Sequence, residues 1–121
     1  MYRRFQPYRQ SSGFGRPGWV YILTNPSMPG LVKIGLTTRS PTKRMAELTK
    51  ATGVPEPFVM VWNRAVTDCG QVEEIAHRML KDRRVHQGRE FFRCDPATAQ
   101  QVIEAAAGGQ LGPCIPAAQG R

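Results

Sequence analysis

Five side chains stand out by type and spacing: Tyr21, Lys33, Arg44, Glu73 and His77. A phenol and an imidazole can move protons, and a carboxylate can hold a hard cation. An arginine fork suits the non-bridging oxygens of a phosphate. A lysine beside a phenol supplies the positive charge that favours a phenolate. Each residue also has an ordinary reading. A strand tyrosine packs with its hydroxyl in water, and a strand lysine sits at a sheet edge. Arg44 can pair with Glu47 three residues on, and Glu73 suits the first turns of a helix. His77 alone could be a surface residue. What would set them apart is convergence, and that depends on the elements that carry them.

Tyr21 lies in the first apolar run, read as a strand from Val20 to Thr24. Alternation puts Tyr21 and Leu23 on one face, with Val20 and Ile22 on the other. "NPSMPG", Asn25 to Gly30, is a turn, with Gly30 supplying a positive φ. Lys33 falls in the second strand, Leu31 to Leu36, so the pair forms a hairpin. Arg44 lies on a helix begun by Ser40-Pro41, "PTKRMAELTKA", stopping near Gly53. Met45, Leu48 and Ala51 form its inner stripe. Phe58 to Val66 reads as a third strand. Asp68 opens the next helix, with Gln71 as its capping-box partner. Val72, Ile75, Met79 and Leu80 give that helix its apolar stripe. Glu73 and His77, four apart, share one flank of it. "DRRVHQGR" is a basic loop, and "EFFRC" reads as a short closing strand. Asp95-Pro96 opens a last helix that ends at Gly108-Gly109.

This order predicts an α/β domain: a small antiparallel or mixed central sheet of about three strands, flanked by helices. It has neither the βαβ repeat of a doubly wound nucleotide fold nor a Gly-rich phosphate loop. The chain of 121 residues suits one such domain over residues 18–107. Residues 1–17 read as a flexible basic arm carrying Arg3, Arg4, Arg9 and Arg16, and residues 108–121 as a flexible tail.

Lys and Arg number 17 against 9 Asp and Glu, a net charge of +8 that favours a polyanionic partner. Besides the arm arginines, Lys43, Arg83 and Arg84 are candidates to contact it. Cys69, Cys94 and Cys114 form no C-x-x-C pair, so they read as packing residues rather than a zinc site or disulfide framework. No run of about eighteen apolar residues is present, and the first residues lack the apolar stretch of a secretory leader. An intracellular protein with no membrane span is expected.

In their order along the chain, the blocks resemble the GIY-YIG nuclease family. Trp19-Val20-Tyr21 stands at the first motif and Lys33-Ile34-Gly35 at the second, followed by Arg44 and Glu73 at the arginine and glutamate positions. The chain is most similar to the subgroup found in phage open reading frames and in a fungal meiotically up-regulated protein. That similarity lies in "NPSMPGLVKIG", "ATGVP", the "VE…H" spacing of Val72, Glu73 and His77, and "REFF". Lysine in place of the second tyrosine is usual for this subgroup.

The resemblance implies a metal-dependent endonuclease acting on DNA, with RNA also open. It implies Tyr21 as general base, aided by positive charge because a free phenol titrates at about 10. It further implies Arg44 on the phosphate and Glu73 holding one divalent ion, Mg²⁺ or Mn²⁺. His77 would position a water or a phosphate oxygen. Two other readings stand beside it: a nucleic-acid-binding module with little cleavage, and a basic adaptor that binds protein.

Overall fold

In the computed structural model, residues 14–50, 56–85 and 90–109 are described, the side chains of residues 49 and 50 excepted. Strand β1 (Gly18–Thr24) turns back into β2 (Leu31–Thr37), and helix α1 (Pro41–Lys50) follows. Strand β3 (Val59–Val66) leads into α2 (Cys69–Met79), a 3-10 turn (Lys81–Arg83), β4 (Phe91–Arg93) and α3 (Pro96–Ala107). The sheet is antiparallel, with strand order β3-β1-β2-β4. Its fourth strand is the short closing strand expected at "EFFRC": β4 pairs with the start of β2 through Leu31–Arg93, Val32–Phe92 and Lys33–Phe91.

The hairpin follows its turn chemistry. Asn25 Oδ1 accepts the Ser27 N–H, and Leu31 N–H reaches back to the Met28 carbonyl. Gly30 sits at φ 81, a conformation that costs glycine nothing. The helix starts also obey their caps. Asp68 Oδ1 accepts from Gln71 N–H at 3.0 Å, and Asp95 Oδ1 accepts from Thr98 N–H at 2.8 Å. Hydrogen bonds from Thr98 hold the Asp95 carboxyl below its ordinary range. That contribution to stability is present above the ordinary carboxylate range and is lost as pH falls through the lowered value.

One face of the sheet carries the core. Val20, Ile22, Val32, Ile34, Val66 and Phe92 pack against Val72, Ala76 and Leu80 of α2 and its end, and against Ala99, Ile103 and Ala107 of α3. The free thiols Cys69 and Cys94 lie in this core, and burial pushes both upward in pKa. Cys114 lies outside the described residues. Alternation places Tyr21, Leu23, Lys33 and Gly35 on the opposite face.

The stripe expected for α2 needs correction. Val72 and Leu80 are buried, but Met79 is 51% exposed and Ile75 is only half-buried. The inward face is instead Cys69, Val72, Glu73, Ala76, His77 and Leu80. Those positions follow helical spacing, but two of them are polar. Met45 and Leu48 of α1 are half-buried, whereas Ala51, Gly53 and the rest of "ATGVP" lie outside the described residues. Among the described residues, no helix is long and apolar enough to cross a membrane.

Candidate functional site

The five side chains come from two strands and two helices. They form three pairings, and each is anchored by one of three consecutive residues of β2: Lys33, Ile34 and Gly35.

Gly35 anchors the tyrosine. It lies directly opposite Tyr21 across the β1–β2 ladder. A Cβ at position 35 would lie 2.5 Å from Tyr21 Oη and 2.6 Å from Cζ. The phenol therefore lies across the glycine, which explains why no larger residue fits there. Tyr21 is 1% exposed, so its ring has little freedom to retreat. Gly35→Ala is expected to lower stability by about 1–3 kcal/mol through this overlap. Urea unfolding checks it, and an unchanged midpoint would show that the ring can move aside.

Arg44 closes over the same hydroxyl. Its Nε donates to Tyr21 Oη at 3.1 Å, joining α1 to the sheet. Its NH1 donates to Glu47 Oε1 at 3.2 Å, so the helical pair foreseen as the ordinary reading forms as well. Burial works against the Arg44 charge, but the bonds to Tyr21 and Glu47 outweigh it and raise its pKa. The guanidinium remains partly open to solvent, with a side chain 35% exposed.

Ile34 anchors the histidine. His77 Nε2 lies 2.9 Å from the Ile34 carbonyl, and His77 is 4% exposed. A carbonyl only accepts, so this nitrogen carries the proton. The Ile34 N–H donates to the Glu90 carbonyl at 3.2 Å. Ile34 thus has both backbone groups satisfied at the point where the short β4 ends. His77 Nε2 also lies 3.8 Å from Glu73 Oε2, and Glu73 is 7% exposed. The ring of His77 packs beside Phe92 at 5.1 Å between centroids.

Lys33 anchors the third pairing. Its ammonium is 2.9 Å from Glu90 Oε1 and lies over the Phe91 ring at 5.6 Å. With a side chain 16% exposed, it is more than an edge charge in water. Glu90 opens "EFFRC", read from sequence as a short closing strand and, within "REFF", as part of the resemblance, but not as a partner of Lys33. A lysine on a half-buried strand needs a counter-charge, and that need was the available signal for Glu90.

As to a metal, Glu73 offers a hard carboxylate oxygen. His77 Nε2 is engaged by a carbonyl. Among the described residues, no group of three or more His, Cys, Asp or Glu could hold an ion. An ion held by this one carboxylate would have to keep most of its shell as water and phosphate, as Mg²⁺ and Mn²⁺ do. It does not suit zinc, which takes three or four protein ligands.

The basic residues are spread over several elements. Lys43 and Arg83 are exposed, on α1 and the 3-10 turn respectively. Arg84 is half-buried, with its guanidinium over the Phe92 ring at 5.6 Å. Arg16 is exposed, and its carbonyl accepts the Cys69 N–H at 2.9 Å while the Gly15 N–H donates to Asp68. The last residues of the expected arm are therefore fastened to the start of α2. Arg3, Arg4 and Arg9 lie outside the described residues, as does the tail from residue 110. Removing residues 1–13 is expected to leave the domain folded. The salt dependence of DNA binding should become shallower by about 0.9 in slope for each arginine that had contacted phosphate. An unchanged slope would show that the arm does not reach DNA.

A small α/β domain with a buried, arginine-capped tyrosine on the sheet face opposite the core is the class defined by this geometry. The T5orf172 domain family matches residues 18–107, and the chain belongs to that family. Comparison with curated proteins gave no match, and comparison with solved structures gave none.

Proposed function

We propose that this domain is a metal-dependent endonuclease of the GIY-YIG type, cutting phosphodiester bonds in DNA. The observation that carries the reading is the 3.1 Å bond from Arg44 Nε to Tyr21 Oη. It joins the two side chains that the resemblance assigns to base and phosphate contact. They come from different elements, 23 residues apart. The net charge of +8 and the T5orf172 family both support a nucleic-acid substrate.

In this reading Arg44 presents its outer N–H groups to the non-bridging oxygens of the scissile phosphate. Tyr21 Oη takes the proton of the attacking water. The Arg44 Nε hydrogen bond holds that phenol oxygen in place. Arg44 also covers the hydroxyl, so phosphate and water reach Tyr21 past that side chain. Glu73 would hold Mg²⁺ or Mn²⁺. When bound, such an ion polarises the phosphate and stabilises charge on the leaving oxygen. His77 acts as a positioning residue: its bond to Ile34 fixes the β2 backbone immediately before Gly35, over which Tyr21 lies. The engagement of Lys33 by Glu90 favours a second reading, a binding module without cleavage, because it draws Lys33 toward a carboxylate.

The deciding experiment incubates the purified protein with supercoiled plasmid, branched DNA and RNA in Mg²⁺, Mn²⁺ or EDTA. Nicking of DNA with either metal and none in EDTA is expected. Binding without cleavage under every metal would move the assignment to the binding module.

A further inference from the structure

The chain between β2 and α1 is more ordered by its bonding than a connector needs to be. Thr37, itself 5% exposed, uses its hydroxyl twice on one residue. Its Oγ1 accepts the Arg39 N–H and donates to the Arg39 carbonyl, both at 3.1 Å. Arg39 is therefore fixed on a closed turn rather than swinging from a loop. Its guanidinium donates to Glu47 Oε2 on α1, while Arg44 donates to Glu47 Oε1.

Each carboxylate oxygen thus holds one arginine, and Arg44 continues the chain of bonds to Tyr21. Two guanidiniums share one carboxylate, and the first turn of α1 contains no acidic residue. Lys43 is exposed on the same helix, and the N-terminal end of a helix favours anions. The two arginines outweigh the slight burial of Glu47 and lower its pKa, so it stays ionised at neutral pH.

We infer that Arg39 is a second phosphate-binding arginine, and that Glu47 stands in the free protein where two non-bridging oxygens of a DNA phosphodiester bind between Arg39 and Arg44. The inference rests on the nucleic-acid reading above and deepens it. A carboxylate and a phosphodiester each offer two anionic oxygens to a pair of forks. Glu47 keeps the two guanidiniums oriented before DNA arrives, and an incoming phosphate displaces it. The exchange is accessible because both arginines and Glu47 have side chains at least 35% exposed. Exposed ion pairs of this kind exchange at little cost. The ordinary alternative is a pair of surface salt bridges with no ligand.

The test measures binding to a short DNA duplex in EDTA over a range of salt, for wild type, Glu47→Gln, Arg39→Gln and the double variant. Glu104→Gln serves as a control, since it removes the same charge from an exposed position on α3. Glu47→Gln is expected to bind about two- to fivefold tighter than wild type, because a competing carboxylate has gone. Glu104→Gln is expected to stay near wild type. Arg39→Gln should bind more weakly, with a salt slope shallower by about 0.9. In the double variant the gain from Glu47→Gln should shrink, since one arm of the fork is missing.

The inference is overturned if Glu47→Gln binds no tighter than Glu104→Gln, or if Arg39→Gln keeps the wild-type affinity and slope. Cleavage is scored separately in Mg²⁺. A protein that shows these binding changes but does not cut fails the endonuclease reading and leaves the phosphate fork standing. One that cuts without them fails the fork alone. A wild-type protein that does not bind the duplex overturns both.

Discussion

Glu73→Gln is expected to lower DNA cleavage by on the order of 10³-fold or more, while the protein still folds and still binds DNA. The substitution keeps the volume of the side chain and removes its charge. In the proposed mechanism that charge is what holds the divalent ion, and the nearest imidazole nitrogen is already committed to the Ile34 carbonyl. The fold should survive, because His77 keeps its bond from α2 to the Ile34 carbonyl of β2. Affinity for DNA should hold or rise, since a negative charge near the phosphate has been removed. Glu74→Gln is the matched control: the next residue points about 100° away around the helix. It should cut like wild type in a plasmid-nicking assay with Mg²⁺. Were Glu73→Gln to cut at the wild-type rate, the carboxylate would serve only as a neighbour to His77.

The two helices beside the core show what was readable from sequence and what was not. Their starts were legible because Asp68 and Asp95 cap them by local chemistry, within three residues. The hairpin was legible for the same reason, with Asn25 and Gly30 specifying the turn. The inward face of α2 was not. Choosing positions by apolar type selected Met79 and missed Glu73 and His77. His77 is buried where it donates to the Ile34 carbonyl past the end of β4, and Glu73 lies 3.8 Å from it one turn earlier. That acceptor is in place only once the sheet is assembled.

The site divides along the same line. Tyr21, Arg44 and Glu73 were singled out by the order of the motifs. Of these, Tyr21 and Arg44 meet by a hydrogen bond, while Glu73 lies beside His77 one turn along α2. Lys33 pairs with Glu90 across 57 residues of sequence, and no local pattern announces a contact of that span. The Arg39–Glu47 contact spans only 8 residues but depends on the turn closed by Thr37. Sequence spacing alone could not supply that turn. The tripeptide Lys33-Ile34-Gly35 gains a physical meaning from the fold: a side chain, a carbonyl and an absent side chain, each anchoring a different contact.

Tyr21→Phe is expected to reduce cleavage by about 10²–10⁴-fold, the usual contribution of a general base. It should leave the fold nearly intact. The ring still lies across Gly35 and fills the same buried space. What is lost is one hydrogen bond to a cation, worth about 1.5–3 kcal/mol at most and less here because the Arg44 side chain keeps Glu47 and partial access to water. DNA affinity measured in EDTA should stay close to wild type, since Arg44 rather than the phenol contacts phosphate. The rate–pH profile separates a base from a packing residue. Wild type should show a limb on which the rate rises with pH, and the phenylalanine variant should lose that limb along with most of the rate. Arg44→Lys gives the complementary result, keeping the positive charge but losing the fork. It should weaken DNA binding and cleavage together. A phenylalanine variant that retained both the rate and the rising limb would assign the proton transfer to another group and leave Tyr21 as the packing partner of Gly35.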